Sequence, residues 1–575
     1  MKRWIAAPAD PGAVATLQRE GFSSFMARIL AARNIRTGEE AGRFLNPRLE
    51  DLEDPAKMKG MLPALARIRE ALANRESIAV YGDYDCDGVC ATSILYLALR
   101  ELGARVQAYI PDRFQEGYGL HEEAIRELYA RGVRLIITVD TGITALRQAE
   151  TARSLGVDLI ITDHHQPPAE LPRALAVVNP KQPGCPYSDT NLCGAGIAFK
   201  MVQGLLGRVP EEFLDLVAIA TVADLVPLLG ENRILVHFGL KQLQNPQRPG
   251  LAALIKSAGL DGRPLTSGHL GFQLGPRLNA AGRMETANAA FRLLTTADPE
   301  EAQKWTEQLE TLNRERQRLC DEIAAVASEE IDRHPEWRAQ PSLVLAGEGW
   351  NPGVIGIVAS RMVEQYYRPT LVIALDGDTA KGSARSIPGF DLYSGLKEIA
   401  DLFDRFGGHT MAAGFSLPAK RVEDLRRRFA EVAASRLTAE DLRPRILCDA
   451  EINLEKIDLP LAESLATLEP HGLGNPAPKL FVRSAPLLES RTVGASAAHL
   501  RLRIGNPEHP VTALAWRRGD DIRFLAQGVR AVHLVGRVQI NEWNGTKKVQ
   551  LELDDWRPAH KIPSLSQRQS LIGRI

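Results

Sequence analysis

Hydrophobic and polar positions change their spacing along the chain. Between residues 78 and 179, short apolar runs rich in β-branched residues alternate with amphipathic segments of helical period. Apolar runs of this kind are typical of parallel strands that helices cover on both faces. The pattern predicts an α/β domain with strands at 78–82, 105–110, 134–139, 158–162 and 175–179. Ligands of such sheets gather beyond the carboxyl ends of the strands.

The patterns after this region predict three further elements. Residues 298–334 form one charge-rich helical pattern that opens with an Asp-Pro pair, an N-cap followed by proline at the first helical position. A helix of that length spans about 50 Å and could connect two domains. A second α/β pattern runs from 341 to 420. Short strand candidates separated by Gly, Pro and Asn turns fill 445–560, which is typical of a small β-barrel or sandwich.

Composition adds little to this picture. The length of 575 residues exceeds one hydrophobic core and favours about three to five domains. The net charge of −1 neither favours nor excludes nucleic acid. The six cysteines form no CxxC pair, so we expect reduced thiols in a cytoplasmic protein without structural zinc. No signal peptide or membrane span is evident, and no membrane partner is expected.

Acidic and histidine residues recur directly after these apolar segments. Because the carboxyl ends of parallel strands share one edge of a sheet, their side chains are expected to meet there. A glycine after the first acidic group permits a tight strand-to-helix turn. The residues that share this placement are Asp83, Asp85, Asp87, Asp140, Asp163, His164, His165 and, after an apolar helical run, Asp224.

Carboxylates and imidazoles without thiolates suit Mn²⁺ or Mg²⁺. Two such ions, about 3.5–4 Å apart, can share a carboxylate, activate water and clamp a phosphodiester. Each feature also has an ordinary explanation. Three acids in one loop could bind calcium or be solvated, a strand-end Asp is often a helix N-cap, and a His-His pair is usually at the surface. Together, after successive apolar segments, they favour a catalytic metal centre.

The same segments resemble a known family. GDYDCDG, VDTG, TDHH and VADLVPL resemble, in order, the four motifs of the DHH phosphoesterases. IPDRFQEGYGL, GPRLNAAGRM, WNPGVIGIVASRM, KGSARS and GGHTMAAGFSL resemble the RecJ exonucleases of that superfamily, in the same order and over nearly the whole chain. One departure is Asn351, where the RecJ motif usually has histidine.

The resemblance implies a division of the chain into five parts. They are an N-terminal helical segment (1–75), a parallel-sheet DHH catalytic domain (76–295), a long connecting helix (296–336), a second α/β domain of DHHA1 type (337–440), and an OB-fold-like β-barrel with a C-terminal tail (441–575).

The resemblance also implies roles at the metal centre. Asp140 would bridge two metal ions, His165 would contact the scissile phosphate or assist the leaving group, and Asp163 would orient a neighbouring histidine. Which ion each aspartate of the first motif holds stays open. The implied metal ligands are Asp83, Asp85, Asp87, Asp140, His164 and Asp224.

Basic residues are the main candidates for binding the substrate. Arg277 and Arg283 could hold backbone phosphates through forked hydrogen bonds, or could form structural salt bridges. By resemblance, Arg113, Ser383 and Arg385 match positions that recognise a 5′-terminal phosphate. His409 matches a phosphate-contacting motif of DHHA1 domains.

The expected function is therefore a single-stranded-DNA-specific 5′→3′ exonuclease that releases 5′-mononucleotides with two Mn²⁺ or Mg²⁺ ions, in DNA repair and recombination. The resemblance further implies a monomer that works with single-strand-binding protein and a RecQ-type helicase. Two alternatives stay open: a DHH-family phosphodiesterase for oligonucleotides or cyclic dinucleotides, and a non-catalytic scaffold that binds single-stranded DNA.

Overall fold

The computed structural model describes residues 2–113, 115–543 and 546–559. Two compact units divide the chain: Leu49–Pro444 forms one, and Met1–Arg48 together with Arg445–Ile575 forms the other.

The strands are β1 (Arg3–Ala6), β2 (Ser77–Tyr81), β3 (Arg105–Tyr109), β4 (Val133–Thr138), β5 (Asp158–Thr162), β6 (Ala176–Val178), β7 (Leu343–Glu348), β8 (Thr370–Asp376), β9 (Thr379–Arg385), β10 (Arg405–Gly408), β11 (Ala412–Pro418), β12 (Arg445–Cys448), β13 (Ala450–Ile452), β14 (Leu480–Val493), β15 (His499–Gly505), β16 (Pro510–Ala515), β17 (Ala531–Trp543) and β18 (Thr546–Pro558).

The α-helices are α1 (Pro11–Arg19), α2 (Ser24–Ala31), α3 (Gly38–Leu45), α4 (Met61–Ala73), α5 (Cys86–Glu101), α6 (Glu122–Ala130), α7 (Leu146–Ser154), α8 (Gly194–Leu206), α9 (Leu214–Ala223), α10 (Gly230–Leu243), α11 (Pro249–Ser257), α12 (Ser267–His269), α13 (Gly275–Met284), α14 (Asn288–Thr295), α15 (Pro299–Arg333), α16 (Pro335–Ala339), α17 (Ile355–Tyr366), α18 (Leu392–Lys397), α19 (Val422–Arg436), α20 (Leu459–Ala466) and α21 (Ile522–Leu525).

The first sheet of unit Leu49–Pro444 is entirely parallel, with strand order β3-β2-β4-β5-β6. Its central strands are buried apolar runs, which confirms the predicted α/β fold. The chain crosses from β2 to β3 on one side and then to β4 on the other. The carboxyl ends of β2 and β4 therefore flank the point where strand order reverses, which is where ligands bind in open α/β sheets.

Two helices near this sheet follow from their sequences. Helix α9 is predominantly apolar and is buried from Leu214 to Val222, as expected of a core helix. Helix α15 begins after the N-cap Asp298 with proline at its first position, as predicted, and continues for 35 residues. At 1.5 Å per residue it spans about 50 Å.

The C-terminal part of α15 belongs to the core of the second α/β region. Cys320, Ile323, Ala327 and Ile331 pack with residues of β7, β8 and α17. The sheet there has the order β10-β11-β9-β8-β7, in which β7 and β8 are parallel and the other neighbours are antiparallel. The long helix therefore stabilises this domain as well as connecting it.

The other unit contains a closed barrel of β14, β15, β16, β18 and β17, closed by the pairing of β14 with β17. This confirms the predicted OB-like barrel. Two features of this unit could not be predicted from the hydrophobic pattern. Strand β14 contains Pro486 and a register shift, so its sequence does not alternate regularly. Strand β1 pairs in parallel with β12, a contact between residues more than four hundred positions apart.

In the part of the chain that the structure describes, none of the helices combines the length and the apolar character needed to cross a membrane.

Candidate active site

The acidic loop after β2 is fixed by backbone contacts. Asp85 caps α5 by accepting a hydrogen bond from the Gly88 N–H at 3.0 Å. A Cβ on Gly88 would lie 2.6 Å from the Asp83 carbonyl oxygen, so the turn requires glycine. Asp87 accepts the N–H groups of Gly194 at 2.6 Å and Ala195 at 2.8 Å. These amides begin α8, where the helix dipole favours a carboxylate.

Asp140 follows β4 with a left-handed backbone, φ 60°. Its side chain lies against the start of α8, where a Cβ on Gly194 would come within 2.5 Å of the Asp140 Cβ. His164 follows β5, and its Nε2 is 3.1 Å from Asp140 Oδ1, 3.7 Å from Asp224 Oδ2 and 3.8 Å from Asp87 Oδ2. Strand ends and the end of α9 therefore direct these ligand atoms toward one another.

Three overlapping groups in the described residues have ligand atoms within 4.8 Å of one another. Asp140 belongs to two of them, and so does His164. The groups are Asp83, Asp85 and Asp140; Asp87, His164 and Asp224; and Asp140, His164 and His165.

The electrostatics of these groups fit divalent cations. Asp83 Oδ1, Asp140 Oδ1 and both ring nitrogens of His164 are buried without hydrogen-bond partners among the described residues. Burial and the neighbouring carboxylates raise the pKa of Asp83, Asp140 and Asp224 well above the usual value. The same causes raise the pKa of Asp87 to about 6. Positive ions between the carboxylates would remove this repulsion.

His164 and His165 differ in protonation. Burial lowers the pKa of His164 to about 3, so its imidazole is neutral and able to bind a metal ion at neutral pH. His165 Nδ1 lies 2.7 Å from Asp163 Oδ1. Burial opposes ionisation of this pair, but the hydrogen bond outweighs it, so the pKa of His165 is raised and the pKa of Asp163 is lowered. Asp163 also accepts the Ile143 N–H at 2.9 Å, which fixes its orientation.

A segment after β6 holds the backbone of the two histidines. Asn179 Nδ2 donates to the His165 carbonyl at 2.9 Å, and Lys181 Nζ donates to the His164 carbonyl at 2.6 Å. Asn179 Oδ1 accepts the Lys181 N–H at 2.8 Å, so the two residues act together. Neither residue is among the candidates from the sequence, because nothing in their spacing indicates that their side chains turn back toward β5.

A cleft of about 480 Å³ lies between the two α/β regions of this unit. Among the described residues its lining includes five cationic side chains and no carboxylate. Four predicted substrate residues line it: Arg113, Arg283, Ser383 and Arg385. We define this site, with the unpredicted Lys381 and Arg405, as the cationic cleft.

Two contacts position the arginines of the cationic cleft. The Arg113 guanidinium lies 5.3 Å from the ring centre of Tyr84, which stands between two of the acidic residues after β2. Arg385 Nη1 donates to Ser383 Oγ at 3.1 Å. Burial and the nearby Arg113 lower the pKa of Arg283 to about 10, and burial lowers the pKa of Arg385. These cations remain charged and incompletely compensated, as in an anion site.

Other sequence candidates lie outside the lining of the cleft. Arg277 Nε forms an ion pair with Glu310 Oε1 of α15 at 2.6 Å, which corresponds to the salt-bridge alternative. His409 is exposed in the turn between β10 and β11. Asn351 accepts the Gly353 N–H at 2.7 Å, so this side chain has a local structural contact.

Three family models match the chain. The DHH family N-terminal domain matches residues 77–221, the DHHA1 domain matches 340–435, and the RecJ OB domain matches 448–555. The single-stranded-DNA-specific exonuclease RecJ of Bacillus subtilis (strain 168) is 43% identical over 96% of this chain and 70% of that protein. The chain belongs to the RecJ family.

Further RecJ comparisons agree. The RecJ of Escherichia coli (strain K12) is 34% identical over 92% of this chain and 95% of that protein. A crystal structure of RecJ from Thermus thermophilus in complex with Mn²⁺ has a TM-score of 0.82 and 32% identity, over 97% of this chain and 80% of that one. A second structure of that RecJ, with Mg²⁺, has a TM-score of 0.75 and 30% identity, over 97% and 79%. The DHH, DHHA1 and OB organisation expected of a RecJ chain is confirmed.

Proposed function

We propose that this chain is a single-stranded-DNA-specific exonuclease that removes 5′-mononucleotides from the 5′ end. One arrangement carries the proposal. Helix α13 runs beside the acidic loop, where Asn279 Oδ1 accepts the Cys86 N–H at 2.9 Å, and its Arg283 lines the cationic cleft. A terminal phosphate in the cleft would therefore leave the adjoining phosphodiester beside the acidic and histidine side chains.

The metal ions are Mn²⁺ or Mg²⁺, as the oxygen and imidazole donors favour. Asp140 would serve both ions, and Asp83, Asp85, Asp87, His164 and Asp224 would supply the other ligands. Two bound ions would activate water for in-line attack and neutralise charge at the phosphate. The chain orients these ligands through the start of α8 and through Asn179 and Lys181.

His165, oriented by Asp163, would act on the scissile phosphate. With its pKa raised by Asp163, His165 would contact the scissile phosphate or give a proton to the leaving 3′ oxygen. Breaking the bond between that oxygen and phosphorus releases a 5′-mononucleotide and leaves a new 5′-phosphate on the strand. Arg113, Arg283, Ser383 and Arg385 would hold this terminal phosphate before each cycle.

His409, which is exposed between β10 and β11 outside the cleft, would contact the strand farther from the terminal phosphate, whereas Arg277 is held in its ion pair with Glu310. For the cellular setting, we propose DNA repair and recombination in the cytoplasm by a monomer, with single-strand-binding protein and a RecQ-type helicase as partners. Membership of the RecJ family supports these assignments.

A labelled-strand time course tests the function. A single-stranded oligonucleotide with a 5′-phosphate is labelled at either end and incubated with Mn²⁺ beside a blunt duplex. The proposal predicts immediate release of mononucleotide from the 5′-labelled strand, gradual shortening of the 3′-labelled strand and an intact duplex. Loss of the 3′ label first, or cleavage of very short oligomers only, would favour an oligonucleotide phosphodiesterase. Binding without cleavage in any divalent metal would favour a scaffold.

A further inference from the structure

Two cations of the cationic cleft, Lys381 and Arg405, exceed what a terminal phosphate requires. Both side chains are exposed, and neither forms a hydrogen bond or an ion pair with a described residue. A phosphate monoester carries at most about two negative charges at neutral pH. Arg113, Arg283 and Arg385 alone outweigh that charge. Lys381 and Arg405 therefore have no counter-charge unless the ligand extends beyond one phosphate group.

Strand register places Lys381 and Arg405 in one row across the sheet. Ser416 of β11 is paired with Lys381 of β9 on one side and with Arg405 of β10 on the other. Paired residues of neighbouring antiparallel strands point to the same face of a sheet. Because neighbouring strands are about 4.8 Å apart, the two cations lie on either side of the Ser416 hydroxyl, about 10 Å from each other at the backbone. All three residues line the cleft, so this row offers two positive charges and a hydroxyl to one anion.

The next row on the same face of the sheet contains two glycines. Gly414 is paired with Gly407 on one side and with Ser383 on the other. A Cβ on either glycine would meet no described atom within 4 Å, so the space above this row is open. Strands advance about 3.4 Å per residue, which separates the two rows by about 7 Å. A ligand can therefore lie close to the backbone of the glycine row and reach the row of cations.

The row with Ser383 is the one on the side of the acidic loop. A Cβ on Gly356, in the first turn of α17, would lie 3.0 Å from both Ser383 Oγ and Arg385 Nη2. Arg283 Nη1 donates to a backbone carbonyl just before this helix at 3.2 Å, and α13, which carries Arg283, contacts the acidic loop. Lys381 precedes Ser383 by two residues on β9 and continues the line away from Arg385. The row of cations is therefore at the outer, exposed end of the cleft.

The volume of the cationic cleft also exceeds that of one phosphate group. Each phosphorus or oxygen atom of a phosphate occupies less than the roughly 30 Å³ of a water molecule in the liquid. One phosphate would therefore fill less than about a third of the cleft volume of about 480 Å³. The unfilled part includes the outer row, where the charge is positive and uncompensated.

We infer that the cationic cleft accepts strands whose 5′ end carries a di- or triphosphate, with Lys381 and Arg405 binding the phosphates beyond the one next to the sugar. This inference rests on the proposed function and extends its substrate class. The phosphate next to the sugar stays with the arginines beside the acidic loop. The added phosphates extend over the glycine row to the outer row, where ammonium and guanidinium groups are suited to phosphate oxygens.

Cleavage of such a strand follows the hydrolysis already proposed. Water adds to the phosphorus of the first phosphodiester, the bond from that phosphorus to the 3′ oxygen of the first nucleotide breaks, and this oxygen takes a proton. The first product is a nucleoside 5′-di- or triphosphate with a 3′-hydroxyl group. The shortened strand keeps a 5′-monophosphate, so later cycles release mononucleotides. The bonds between the phosphates of the 5′ end stay intact.

The test compares the wild type with Lys381→Ala, Arg405→Ala and the control Lys397→Ala. Lys397 is exposed at the end of α18, a helix whose leucines pack against the opposite face of the same sheet. The substrates are one single-stranded DNA sequence with either a 5′-monophosphate or a 5′-triphosphate, labelled on the phosphate next to the first sugar. The value of kcat/KM for each strand is measured with Mn²⁺ in excess, the first labelled product is identified, and melting temperatures check folding.

For the wild type, we expect cleavage of the triphosphate strand with a nucleoside 5′-triphosphate as the first labelled product. The ratio of kcat/KM for the triphosphate strand to that for the monophosphate strand should fall about tenfold in Lys381→Ala and in Arg405→Ala, because each loses a bond to a charged group. Lys397→Ala should keep the wild-type ratio. Cleavage of the monophosphate strand alone, or the wild-type ratio in both cleft variants, would overturn the inference.

Failure of the proposed function gives a different result. If the wild type degrades neither strand, the exonuclease assignment fails, and calorimetry on the metal-free protein in EDTA then measures the outer row directly. The probes are inorganic tripolyphosphate and inorganic phosphate. Tighter binding of tripolyphosphate, weakened about tenfold by Lys381→Ala and unchanged by Lys397→Ala, supports the inference. Equal binding of tripolyphosphate by all four proteins overturns it.

Discussion

Asp140 Oδ1 and His164 Nε2 lie 3.1 Å apart in the protein interior, yet neither atom has a hydrogen-bond partner among the described residues. Buried polar atoms without partners are costly, typically about 1–3 kcal/mol each. Both atoms instead face a common space that the neighbouring carboxylates also face. This arrangement is what a cation site requires of its ligands before the ion binds.

The first prediction concerns stability without metal. In the folded protein the pKa of Asp140 is raised, so its contribution to stability is present at low pH and lost as pH rises through that pKa. Asp140→Asn removes the repelling charge, and asparagine tolerates a left-handed backbone better than most residues. In EDTA at neutral pH, we expect the variant to melt about 2–4 °C higher than the wild type, the effect of about 1 kcal/mol.

The pH dependence of the difference in melting temperature provides the control for this prediction. Because the Asp140 carboxyl is protonated in the wild type at low pH, the difference in melting temperature should shrink as pH falls. Added Mn²⁺ should raise the melting temperature of the wild type more than that of the variant. A variant that melts below the wild type in EDTA at neutral pH would contradict the electrostatic account.

Mn²⁺ binding should depend on pH near 6. The pKa of Asp87 is raised to about 6 in the metal-free protein, so protons compete with the ion below that pH. We expect Mn²⁺ affinity to fall by up to about tenfold per pH unit for each competing proton. Titration calorimetry in two buffers of different ionisation enthalpy should detect proton release at about pH 6 and less at about pH 8. Equal affinity and no proton release across this range would contradict the prediction.

The acidic and histidine residues at the ends of the strands are the part of the site that the sequence predicts well. Asp83, Asp140 and His164 each follow a buried parallel strand, and parallel strands bring such positions to one edge of the sheet. The partner of Arg277 could not be predicted, because Glu310 lies 33 positions away on another helix. Local propensity carries no information about such tertiary pairs.

The full lining of the cationic cleft could not be predicted from the sequence either. Lys381 and Arg405 stand on β9 and β10, which β11 separates in the sheet, so the register of three strands decides that both line one cleft. Residues Leu270–Leu274 form a π-helical turn, which periodicity based on 3.6 residues per turn does not reveal. Strand register and helix irregularity are therefore the features that the sequence patterns do not predict.

Arg385 should determine the preference for a terminal phosphate. In Arg385→Ala, KM for a 5′-phosphorylated strand should rise about 10–100-fold, since hydrogen bonds to charged groups contribute about 1.5–3 kcal/mol. KM for the matching 5′-hydroxyl strand should change little. Arg277→Ala is the matched control, because Arg277 pairs with Glu310 outside the cleft. Its melting temperature should fall while the phosphate preference remains. A retained preference in Arg385→Ala would remove Arg385 from the phosphate site.

Lys181 tests how the histidine backbone is held. Removing its ammonium group could strengthen Mn²⁺ binding by removing a repelling charge, or weaken it by releasing His164. We expect Lys181→Met to weaken Mn²⁺ binding about tenfold, because loss of groups that orient metal ligands typically costs about 10–100-fold in affinity. The neutral change Asn179→Ala should act in the same direction. Tighter Mn²⁺ binding by Lys181→Met in calorimetry would show that charge repulsion dominates.

The most direct measurement compares cleavage and binding in wild type and Asp140→Asn. Both proteins are mixed in excess with a 5′-phosphorylated single strand and Mn²⁺ for a single turnover, and strand binding is measured by anisotropy on the same preparations. The account predicts rapid mononucleotide release by the wild type, and binding with cleavage reduced by at least about a thousandfold in the variant. Wild-type cleavage by Asp140→Asn would contradict the assignment of this centre.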